Sequence, residues 1–160
     1  MKNLKSEPSI LLIGLGNSAR GDDGLGWEFV ERMISLGYDF LDNEFRYQLQ
    51  VEDAACISKY DVVVFVDASH EKLSGGFQIS RCMAANHSFF STHAQSPGAI
   101  VYLANNLYGK FPKAYTLAIS GKDWELRTWL SREAKNNLDA AVSFFIEQFL
   151  PTALPRVVFS

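Results

Sequence analysis

Residues 9–17, SILLIGLGN, form a short apolar run that ends in glycines, the pattern of a strand buried on both faces and stopped by a turn. Beyond it the period changes. Leu25, Phe29, Met33 and Leu36 recur at spacings of three and four, with Glu28, Glu31 and Arg32 between them, which predicts an amphipathic helix ended by Gly37. FRYQLQV then alternates Phe45, Tyr47, Leu49 and Val51 with polar residues and reads as a strand with one drier face. EDAACISKY reads as a short helical or irregular turn. The driest stretch is DVVVFVDAS, where Val62, Val63, Val64, Phe65 and Val66 run without a break into Asp67.

The second half follows the same logic. GGFQISRCMA opens on a Gly75-Gly76 turn and alternates Phe77 and Ile79, a strand suited to a sheet edge. ANHSFFSTHAQSPGA is a polar loop that feeds a helix over about 97–108, ended by Gly109. KAYTLAIS is another strand, and LSREAKNNLDAAVSFFIEQFL a long helix that starts at Ser131-x-x-Ala134, buries Leu138, Val142, Phe145 and Phe149, and stops at Pro151. The order β-α-β-β-β-α-β-α predicts an α/β fold: a three-layer sandwich with a largely parallel, twisted sheet of about five strands flanked by helices. Residues 1–160 are expected to form one domain, with its core over about 10–150.

Composition narrows the function classes. With 48% apolar and 21% charged residues the chain is ordinary globular material. A net charge of −3 offers no footprint for nucleic acid or an anionic membrane. The apolar run after MKNLKSEP is too short for a signal segment and no stretch is long enough to span a bilayer, so a cytoplasmic protein is expected. Cys56 and Cys82 form neither a CxxC pair nor a zinc knuckle and read as idle thiols.

Chemistry concentrates where strands of such sheets end. Gly14-x-Gly16-x-x-Ala19 fits a relaxed dinucleotide fingerprint, which makes a dinucleotide- or phosphate-binding module the alternative reading. Against it, Asp22 and Asp23 would repel phosphates, and helical periodicity begins only near Asp23. One aspartate suffices to cap the helix and frees the other for a cation. Asp67 is presented at the rim of the sheet, where a turn cap is the plain alternative. His93 lies in STHAQSPG just before a helix; His70, three residues past Asp67, is a second-choice ligand, and His87 has less in its favour. Asp23, Asp67 and His93 together make a two-carboxylate, one-imidazole set with open positions, suited to modest affinity for a divalent first-row metal. HExxH, GxSxG and a Cys–His pair are all missing, so neither a zinc-protease helix nor a covalent nucleophile is available.

Taken in order, LLIGLGNSARGDDGLGWEFVERM, DVVVFVDAS, STHAQSPGAIVYLANNLYG and AYTLAIS resemble the hydrogenase maturation endopeptidases, over about residues 10–150. The resemblance implies a peptidase that removes the C-terminal extension of a nickel–iron hydrogenase large-subunit precursor after nickel insertion. It implies that Asp23, Asp67 and His93 bind the metal, and that this is the nickel held by the substrate, with no nucleotide. A non-catalytic chaperone for the same precursor is a further alternative. Two departures stand out. Asp23 replaces the glutamate of some relatives, and QLQVEDAACI stands where many have a glycine-rich turn, leaving Glu52 and Asp53 either at a substrate-facing loop or as helix-starting acids. We assign Asp22 as the local cap and Asp23 as the ligand.

Overall fold

The computed structural model describes residues 8–86 and 95–154. β1 (Ile10–Leu15) is buried along its whole length. It pairs in parallel with β2 (Leu41–Arg46) on one side and β3 (Val62–Ser69) on the other. β5 (Lys113–Ser120) lies parallel to β3, and β4 (Phe77–Arg81) closes the sheet as an antiparallel edge, giving the order β2-β1-β3-β5-β4. The α/β expectation of five largely parallel strands holds.

Alternate side chains of the dry strands feed two separate cores, which is why their sequences run apolar without alternation. Ile10, Leu12, Val62, Val64 and Val66 face α1 (Leu25–Leu36) and α4 (Arg132–Phe144), where Phe29 meets Phe145 edge-on at 5.2 Å. Leu11, Ile13, Val63 and Phe65 face α2 (Asp53–Ile57) and α3 (Pro97–Tyr108), with Ile57, Ile100 and Ala104.

Local signals set the helix ends. Ser96 accepts a hydrogen bond from Ala99 N ahead of Pro97, and Gly109 closes α3 in the left-handed region. Gly37 does the same for α1, and Ser131 accepts from Ala134 N at the start of α4.

Two expectations are corrected. The second strand is LDNEFR rather than FRYQLQV. The alternation at 45–51 has another origin: Phe45 and Tyr47 pack on Trp27 at 5.4 and 5.2 Å, and Leu49 enters the second core and pairs with Gln95. Nor does Pro151 stop the last helix. A π-helical turn at Phe145–Phe149 precedes a final turn, Leu150–Ala153, whose start tolerates a residue without an N–H.

Candidate functional site

From β1 the chain reaches β2 on one side and β3 on the other, so the carboxyl ends of β1 and β3 flank the point where strand order reverses, the usual ligand crevice of open α/β sheets. The turn after β1 brings Asp23 to this crevice and β3 brings Asp67. Two glycines make the approach possible. Gly16 turns the chain at φ 133°, and a side chain there would strike the Asp23 carbonyl. At Gly26 a side chain would strike the carbonyls of Leu15 and Val66, so only glycine lets the first turn of α1 lie against both strand ends.

Asp23 Oδ2 accepts from Asn17 N at 2.9 Å. Asp67 Oδ1 accepts from Ala68 N at 2.8 Å, and its side chain remains exposed. The atoms of the sheet end crowd it on the protein side, and this desolvation, only partly offset by Ala68 N–H and reinforced by the negative charge of Asp23, pushes its carboxyl up to about 6. The structure thus brings two of the sequence-predicted groups within electrostatic reach of each other. Neither takes part in an ion pair among the described residues. A cation would relieve their repulsion, and the carboxylate donors suit a hard or borderline divalent ion. Among the described residues no group of three or more His, Cys, Asp or Glu side chains gathers to hold a metal.

His93 and His87 lie outside the described residues. His70 stacks on Trp124, with ring centres 3.7 Å apart and planes at 24°. Glu52 carries no capping bond, whereas Asp53 is buried, takes Arg46 Nε at 3.0 Å and caps its own turn through Gln50 N at 2.9 Å. Asp53 is therefore a structural acid at the start of α2. The thiols are not activated: burial raises Cys56 and pushes Cys82 up to about 11.

Asp22 overturns its expected role. Its side chain makes no bond to α1, whose N-cap position is Gly24 without any side-chain cap; only its carbonyl accepts from Leu25 N. Its carboxylate is fully buried and accepts from Lys122 N, Asp123 N, Ser131 N and Ser131 Oγ. Burial works against its charge, but the N–H of Asp123, the Ser131 hydroxyl and the N–H groups of Lys122 and Ser131 outweigh it and hold its carboxyl below the usual range. Sequence reading also passed over Ser131 and Gly121 in this connection. The one available signal was an Asp-Asp pair with a single helix to cap.

The same bonds dispose of the phosphate cradle. A fingerprint turn needs free N–H groups at a helix N-terminus. Here Gly16 N goes to Arg46 O, Asn17 N and Ala19 N to side-chain oxygens, Arg20 N to Asn17 O, Gly21 N to Arg127 O, Asp22 N to Asp123 O and Asp23 N to Arg20 O. α1 begins only at Leu25.

No protein-family model matches the sequence, and no curated protein sequence matches it. Solved structures match the fold. HybD, the hydrogenase maturating endopeptidase of E. coli, aligns at a TM-score of 0.69 over 90% of this chain and 93% of its own, with 18% identity. The hydrogenase 2 maturation peptidase of Thaumarchaeota archaeon SCGC_AB-539-E09 gives 0.65 over 88% and 97%, with 21% identity. The [NiFe] hydrogenase maturation protease HycI of Thermococcus kodakarensis KOD1 gives 0.63 over 94% and 95%, with 22% identity. The chain has the fold of the hydrogenase maturation peptidases.

Proposed function

We propose that this protein is a hydrogenase maturation endopeptidase. It removes the C-terminal extension of a nickel–iron hydrogenase large-subunit precursor, and it recognises the nickel already held by that substrate through Asp23, Asp67 and His93. The observation that carries this reading is the like-charged pair Asp23 and Asp67 at the strand-order reversal of a maturation-peptidase fold, with no countercharge paired to either among the described residues. Gln95, two residues past His93, bonds through its N–H to Leu49 O just beyond β2, at the same end of the sheet, which supports His93 as the third ligand.

In this reading the metal belongs to the substrate, in keeping with so sparse a set of protein donors. Docking brings the two carboxylates against the substrate's cation, relieves their mutual repulsion and fixes the scissile peptide beside them, so that positioning supplies much of the rate. No thiol or serine nucleophile is invoked, consistent with the raised thiols. The reading places the protein in the cytoplasm with its precursor, and no helix of the described residues is long and apolar enough to cross a membrane. The deciding experiment incubates the protein with nickel-loaded and nickel-free precursor. Cleavage of the loaded form alone is expected, and equal cleavage of both would overturn nickel recognition.

A further inference from the structure

Asp22 sits one residue before the proposed ligand Asp23, and its hydrogen bonds reach across the chain to residues 100, 101 and 109 positions away. Oδ2 accepts from Lys122 N at 2.6 Å, Asp123 N at 2.8 Å and Ser131 Oγ at 2.7 Å, and Oδ1 from Ser131 N at 2.7 Å. Every partner is a donor, which suits an ionised carboxylate and not an amide, whose NH2 would face another N–H. The backbone adds a second row of bonds: Asp22 N to Asp123 O at 2.8 Å, Gly21 N to Arg127 O at 2.8 Å and Arg127 N to Ala19 O at 3.0 Å. Gly121 closes the contact, since a Cβ there would stand 2.7 Å from Asp22 Cβ.

The turn is therefore gripped on one side by the 121–131 loop. On the other, Asp23 is held by Asn17 N on its carboxylate and by its own N–H to Arg20 O at 3.1 Å. We propose that Asp22 is a positioning residue for the proposed site: its clamp on residues 121–131 fixes the turn that aims the Asp23 carboxylate at the substrate-held cation. The proposal rests on the reading of Asp23 as a ligand. A carboxylate serving only to fill the core could be replaced by a neutral group at little cost to the chemistry, whereas a clamp transmits its loss to the adjacent residue. A misplacement of about 1 Å at a reacting centre costs about 100-fold in rate.

The test uses the full chain with three variants: Asp22→Asn, Gly121→Ala, which crowds Asp22 and Trp124 without changing the carboxylate's chemistry, and Ser131→Ala, which removes the hydroxyl donor to Asp22 together with the cap on Ala134 N but leaves the three backbone donors. With nickel-loaded precursor, assayed well below each variant's melting midpoint, kcat is expected to fall about 10–100-fold for Asp22→Asn. Gly121→Ala should follow and Ser131→Ala should fall less, with KM unchanged in all three. Unchanged kcat alongside a lowered melting temperature reduces Asp22 to a stability element and overturns the proposal. Should Asp22→Asn fail to fold, the other two variants decide the matter by the same readout. Amide exchange of Asn17 gives a reading independent of activity. Its protection should drop selectively in the variants, while a drop in step with the amides of β1 and β3 overturns the proposal. If the parent protein cleaves no precursor, the proposed function falls and Asn17 exchange still decides the clamp.

Discussion

Asp22 and Asp67 stand at the same end of the sheet, one on the turn after β1 and the other on β3, and protein atoms press on both. Four donors meet Asp22, and its carboxyl is held below the ordinary range. One backbone N–H meets Asp67, a second carboxylate faces it, and its carboxyl rises to about 6. Crowding acts on both in the same sense; the supply of donors decides the sign. A satisfied carboxylate is held by its donors, and an unsatisfied one beside a like charge is the place where the proposed reading puts a cation.

The largest expected effect breaks the unsatisfied side. Asp67→Asn should lower cleavage of nickel-loaded precursor by about 100-fold or more, the scale on which groups that orient or bind a metal act. It should leave the melting temperature unchanged or raise it, because a repulsion is removed. A large fall in melting temperature would show that Asp67 is architecture too. Next comes the satisfied side. Asp22→Ala strands buried N–H groups of Lys122, Asp123 and Ser131 and should cost about 3 kcal/mol, read from urea midpoints. A loss below about 0.5 kcal/mol, the level of ordinary surface substitutions, would mean that water replaces the carboxylate there.

The smallest effect sharpens the contrast by sign. Asp67 binds its proton more tightly when folded, so its contribution is fully present below the unfolded value near 4 and is lost as pH rises through about 6. Asp22 behaves oppositely: its contribution is present above that unfolded value and is lost as pH falls through its lowered folded value. Urea midpoints from pH 3 to pH 7 should therefore show Asp67→Asn removing the decline between about 4 and 6, and Asp22→Asn removing the decline on the acid side. Matching profiles in the two variants would contradict the assignment of donors.

Legibility in the sequence followed the range of the interactions. α3 and β5 could be placed closely because Pro97, Gly109 and the apolar run of KAYTLAIS are local signals, and Asp67 was conspicuous because a dry strand ran into it. β2 was misplaced because an edge strand, LDNEFR, carries charge, while the stronger alternation beside it served an aromatic stack on Trp27 and a lone anchor at Leu49. Pro151 misled because a π-helical turn ahead of it lets the helix continue. The role of Asp22 was hidden by its span. Nothing within reach of the GDDG stretch announces that Ser131 will be its partner, and a cap is the nearest local explanation for an aspartate before a helix.

That span has a consequence for assembly order. Synthesis proceeds from the N-terminus, so β1 and its aspartate turn emerge before the loop that grips them, and all four donors that fix Asp22 come from Lys122, Asp123 and Ser131. A nascent chain halted before Lys122 holds its proposed ligand turn ungripped, however well β1, β2 and β3 have paired, and one halted before Ser131 lacks half of the donors to Asp22. Contacts of such long separation form slowly because the intervening chain must first be ordered. Those three strands are thus made before the turn upon them is set, and the 121–131 loop is what completes an element synthesised 100 residues ahead of it.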